Sequence, residues 1–116
     1  MEEKALIDLI VHTLDEHKAT DILTADVSRL TPFATHYVLA TCPNVRALGA
    51  FVDALEEECG KQGVTARASD GEPDSGWIVI DFDGIIVHLF LDWARREVKL
   101  DELVNRRKDD IKAHEA

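Results

Sequence analysis

The sequence predicts an α/β fold, a single domain in which one mixed β-sheet is flanked by helices. Three features carry that expectation. Gly76 to Phe90 contains two β-rich runs around Asp83-Gly84, the kind of pair that supplies both positive-φ residues of a type I′ hairpin. Two segments, Lys4 to His17 and the stretch following Pro43-Asn44, repeat apolar residues at helical spacing. Strands at 36–41 and 64–68 are bridged by a helix, which suggests a right-handed crossover and so a sheet mixing parallel and antiparallel pairs.

Taken in order, Leu6, Ile7, Ile10, Val11 and Leu14 form the stripe of the first helix. Glu2 and Glu3 open it and His17-Lys18 close it, both favourable to the helix dipole. Asp21 to Val27 reads as a short strand, Ser28 to Thr35 as a loop broken by Pro32, and His36 to Thr41 as a second strand. Asn44 is an N-cap for a second helix, whose stripe is Leu48, Phe51, Val52, Leu55 and Cys59, with Gly60 and Gly63 closing it. Val64 to Ala68 is expected as an edge strand and Ser69 to Ser75 as a loop. After the hairpin come a turn at Asp92 to Glu97 and a charged helix with Leu100, Leu103 and Val104 near its start.

The hairpin register follows from the two-residue turn. Phe82 opposes Ile85, Ile80 opposes Val87 and Ile78 opposes Leu89, all on one face. Burial of that face contributes roughly 1.5–3 kcal/mol per large side chain before chain entropy is counted. The other face pairs Trp77 with Phe90, Val79 with His88 and Asp81 with Ile86.

At 116 residues, 46% hydrophobic and 31% charged, the chain has the composition of one ordinary globular domain. No apolar run approaches a membrane span, and Met-Glu-Glu-Lys leads straight into helix without a visible signal peptide. A cytoplasmic location is expected, with Cys42 and Cys59 as reduced buried thiols. The net charge of −10 opposes binding of nucleic acid through phosphates and suits a basic protein partner. Arg106-Arg107-Lys108 is followed at once by Asp109-Asp110, which reads as a solvated helix end. The domain is expected to occupy residues 1–104, with 105–116 as a charged helix end or tail.

Candidate chemistry is sparse. Asp81-Phe82-Asp83 is similar to the Asp-x-Asp with which nucleotidyltransferases hold metal ions, but Asp83 is also the residue expected before a turn glycine. His88 stands diagonally from Asp81 across the hairpin, within reach of a hydrogen-bonded pair, with no nucleophile beside them. His12, His17, His36 and His114 show no metal-ligand spacing, and no cofactor is expected. Gly71 and Gly76 bracket a turn-rich loop that lacks the features of a phosphate cradle. Trp77 opens the hairpin away from the best core face, either packing under a helix or serving as an aromatic anchor for a partner.

From about Ala5 to Leu103 the pattern resembles the ribosomal silencing factor, or Iojap, family. The resemblance rests on Lys18-Ala19-Thr20-Asp21-Ile22 with Asp26-Val27, and on Tyr37-Val38-Leu39-Ala40-Thr41 before a helix. It rests most on Gly76-Trp77-Ile78-Val79-Ile80-Asp81 with Val87-His88-Leu89-Phe90, then Arg95, Leu100-Asp101 and Leu103. It implies a nucleotidyltransferase-like topology without the catalytic carboxylates, no enzymatic activity, and a homodimer in the free state. It also implies docking on the large ribosomal subunit through ribosomal protein fourteen. There the domain would block joining of the small subunit and repress translation when nutrients are scarce. The implied partner surface comprises Trp77, Val79, Asp81, His88, Phe90, Arg95, Val98, Leu100, Asp101 and Val104. The sequence departs from the usual family pattern at Val98 (commonly Tyr), Val104 (commonly Trp) and Val45 (usually Ser). Two other functions stand beside this one: a Mg²⁺-dependent nucleotidyltransferase using Asp81 and Asp83, and a ribosome-assembly scaffold.

Overall fold

A computed structural model describes residues 1–104. The expectations for 105–116, including Arg106-Arg107-Lys108, lie outside the described residues. The elements run α1 (Glu3–Glu16), β1 (Thr20–Asp26), β2 (His36–Cys42), α2 (Val45–Lys61), β3 (Ala68–Asp70), a 3₁₀ turn (Pro73–Ser75), β4 (Trp77–Phe82), β5 (Ile85–Leu91) and α3 (Asp92–Val98). Residues 100–104 are again helical.

The hairpin has the expected register. Asp83 and Gly84 adopt φ of 58° and 94°, and Ile78, Ile80 and Phe82 oppose Leu89, Val87 and Ile85. These six side chains are buried against Leu6, Ile10 and Leu14 of α1 and Leu48, Phe51, Leu55 and Cys59 of α2. The apolar stripes of the two helices therefore meet the apolar face of the hairpin. Asn44 caps α2 as anticipated, its side chain accepting from the Ala47 N–H at 2.8 Å.

The sheet is mixed, in the order β1-β2-β5-β4-β3. β2 pairs parallel with β5, and the other pairs are antiparallel. β3 thus runs parallel to β2, as a crossover through α2 requires, but the hairpin is inserted between them. β2 becomes a central strand, buried on both faces from Val38 to Cys42, which explains its nearly continuous apolar sequence.

Two local expectations are corrected. The edge strand lies at Ala68–Asp70, not at Val64 to Ala68. Val64 is instead tied to the end of α2 by its N–H on the Cys59 carbonyl, and it packs with Ala66 against the core before pairing starts. The segment read as a turn, Asp92 to Glu97, is helical: α3 begins directly after β5 and stops where Lys99 enters a left-handed conformation, φ 57°. Ala94 on its inner side packs against Leu39 and Phe90, and that burial outweighs a weak local pattern.

Candidate functional site

The sheet face opposite α1 and α2 carries most of the residues singled out from sequence. Side-chain alternation places Tyr37, Leu39 and Thr41 of β2 there, next to His88 and Phe90 of β5 and Trp77, Val79 and Asp81 of β4. α3 and residues 100–104 lie over this face. Leu39, Phe90 and Ala94 form one cluster, joined by Leu23, Tyr37, Trp77 and Leu100. Val27, Ala34 and Val104 form a second, joined by Ala25 and Ile86 among others.

An aromatic stack organises the first cluster. The rings of Trp77 and Phe90 lie 5.3 Å apart at 20°, and those of Trp77 and His88 lie 5.9 Å apart at 30°. Tyr37 approaches the opposite side of His88 at 4.5 Å. The Trp77 indole Nε1–H donates to His88 Nδ1 at 3.2 Å. Burial pushes the His88 imidazole down to about 4, because a charged ring has no solvent there.

His88 therefore does not pair with Asp81. The Asp81 carboxylate instead accepts the Gly84 N–H at 2.9 Å and lies 3.7 Å from the Arg67 guanidinium. The turn claims the carboxylate that the diagonal pairing required, and the nearby indole claims the imidazole. Asp83 stands in the turn itself, and among the described residues no three His, Cys, Asp or Glu side chains converge as metal ligands. Cys42 and Cys59 are buried free thiols, pushed up by desolvation to about 12 and about 11.

A second constellation joins α3 to the sheet. The Arg95 guanidinium grips the Asp101 carboxylate through Nε and Nη2 at 2.9 and 2.8 Å. Its Nη1 donates to the Asp21 carbonyl at 2.7 Å and the Thr41 hydroxyl at 2.8 Å. These groups border an open groove of about 570 Å³ that also meets Arg96, Lys99 and Glu102. The Arg95 hydrogen bond holds the Asp101 carboxyl below the usual carboxylate range.

The ten expected surface residues thus fall into different environments. Val98 is exposed; Trp77, Val79, Asp81, Arg95, Leu100 and Asp101 are half-buried; His88, Phe90 and Val104 are buried. Sequence reasoning missed Tyr37, Thr41 and the Asp21 carbonyl, which join the site only once β2 is known to lie beside β5. It also missed Trp93, half-exposed on α3, whose segment lacked a recognisable helical stripe.

The fold and site define a small acidic α/β domain whose distinctive face is an aromatic sheet surface roofed by a short helix. Comparison with known proteins gives that class a family. A family model described as ribosomal silencing factor during starvation matches residues 1–116. The chain is 32% identical over 99 residues to a ribosomal silencing factor of Haemophilus influenzae, covering 85% of this chain and 97% of that protein. It is 30% identical over 87 residues to the chloroplastic protein Iojap of Zea mays, covering 75% of this chain and 38% of that protein. A crystal structure of a Chromobacterium violaceum protein superposes with a TM-score of 0.84 at 25% identity, covering 90% of this chain and 88% of that one. The chain belongs to the ribosomal silencing factor family.

Proposed function

We propose that this chain docks on the large ribosomal subunit at ribosomal protein fourteen and sterically prevents the small subunit from joining. Translation is thereby repressed under nutrient limitation. The observation that carries this reading is the family match along the whole sequence. The charge of −10 supports a basic protein partner, since opposite potentials accelerate encounter and disfavour like-charged competitors. No bond need be made or broken, so the chain acts without catalysis. Inhibition follows mass action, set by its concentration relative to Kd.

The contact surface is drawn from Trp77, Val79, Asp81, Val98, Leu100 and Asp101, which retain accessible atoms. His88, Phe90 and Val104 shape it from beneath. In the free state we assign a cytoplasmic homodimer, with no nucleic-acid specificity of its own. Sucrose-gradient sedimentation of isolated 50S and 30S particles with the purified chain tests the reading. Saturating protein is expected to reduce 70S formation and to co-sediment with 50S. An unchanged 70S peak eliminates the steric mechanism.

A further inference from the structure

We infer that Arg95 is a positioning residue of the docking surface, acting by fixing α3 and residues 100–104 over the sheet and not by touching the partner. The inference rests on the docking reading above. Its basis is a single guanidinium whose three nitrogens all donate within the chain, to Asp101, Asp21 and Thr41. Only 11% of the Arg95 side-chain surface is accessible. A charged group so fully engaged has little left to offer a ribosomal protein.

The three receptors come from distant parts of the chain. Asp101 follows α3, Thr41 ends β2, and Asp21 belongs to β1, 74 residues from Arg95 in sequence. The Asp21 carbonyl is available because β1 is irregular there. Thr20 pairs with Thr41 and Leu23 with Leu39, so Asp21 and Ile22 together oppose Ala40. That is a β-bulge, a device that re-aims groups out of the ladder. Asp21 also adopts φ 50°, a conformation that non-glycine residues rarely take without a compensating interaction. Arg95 supplies that interaction.

The mechanical consequence is specific. α3 has only seven residues, too short to be stable by itself, and its orientation is set by Ala94 beneath and the guanidinium at its side. Residues 100–104 are held by Asp101 through the same group, which seats Leu100 on the aromatic cluster and Val104 beside Val27 and Ala34. Lysine cannot substitute, because one ammonium does not reproduce a planar fork addressing three receptors.

The test compares Arg95→Lys, Asp101→Asn and Trp77→Ala in the full chain. Binding to isolated large ribosomal subunits is measured at two salt concentrations, with hydrogen exchange of amides 92–104 followed in the free protein. Arg95→Lys is expected to raise exchange across 92–104 by tenfold or more while α1, α2 and β5 keep their protection. It should weaken binding at least tenfold, with the salt dependence of binding unchanged. Asp101→Asn should likewise raise exchange across 92–104, and the double variant should exchange no faster than Arg95→Lys alone. Unchanged exchange with weaker binding would make Arg95 a direct contact and overturn the inference. Raised exchange with unaltered binding would overturn it as well. Trp77→Ala should weaken binding without raising exchange across 92–104, and failure of the unmodified chain to bind large subunits would overturn the docking reading itself.

Discussion

The indole N–H of Trp77 donates to Nδ1 of His88 at 3.2 Å, and this one bond selects the imidazole tautomer. With Nδ1 accepting, the ring proton resides on Nε2. That atom is buried without a hydrogen-bond partner among the described residues. His88 is therefore a neutral component of an aromatic stack, bounded by Trp77, Tyr37 and Phe90. Protonation would bury a charge and abolish the indole hydrogen bond together.

Acid sensitivity follows directly. Burial lowers His88 from 6.5 to about 4, so between those values the unfolded chain takes up a proton that the folded chain refuses. Its contribution is complete above pH 6.5 and is lost as pH falls towards 4, a difference on the order of 3 kcal/mol. Urea unfolding of the native chain and His88→Gln at pH 7 and pH 4.5 measures it. The native chain should lose more stability on acidification than the variant; parallel losses would contradict the assignment.

Trp77→Phe keeps an aromatic ring in the stack but removes the donor to His88. A loss of about 1 kcal/mol is expected from the missing hydrogen bond. The variant also frees the Nδ1 lone pair, so the His88 imidazole should titrate at a different pH by NMR. An unchanged titration would show that the indole does not set its protonation.

The Arg95–Asp101 pair predicts a loss of stability in the same direction, but in a more acidic window. Asp101 titrates below the usual carboxylate range because its charged form accepts from Arg95. Its stabilisation is present above the unfolded carboxylate value and disappears as pH falls through the lower folded one. Asp101→Asn should cost about 1–2 kcal/mol at pH 7, an estimate reduced for partial solvent access, and progressively less as pH falls below the usual carboxylate range. A deficit that does not shrink on acidification would place its origin in packing.

Two glycines separate backbone from side-chain constraint. At Gly71, φ 103°, an added Cβ would lie 2.3 Å from the Trp77 carbonyl oxygen. At Gly76, φ 76°, its nearest neighbours are the Trp93 ring at 2.9 Å and the Ala94 methyl at 3.0 Å. A half-exposed indole can shift and a carbonyl at the start of a strand cannot. Gly76→Ala is expected to lose about 1–2 kcal/mol, mainly from left-handed backbone strain, and Gly71→Ala to lose more. Calorimetric melting of both variants settles the ranking, and the reverse order would contradict it.

By itself the sequence determined what depends on near neighbours. The Asp83-Gly84 turn set the hairpin register, and alternation along it named the six inward side chains before any partner for them was known. Asn44 marked the start of α2, and the helical stripes named its buried face. These are properties of residues two to four apart, where turn chemistry, capping and periodicity act. Tertiary structure alone decided that β5 pairs with β2, that His88 accepts from Trp77 and does not pair with Asp81, and that Arg95 reaches Asp21. Such choices depend on which distant strands bury most surface together and on which polar groups that burial strands without water. No local pattern encodes that competition, because its outcome is fixed only when all the layers close at once.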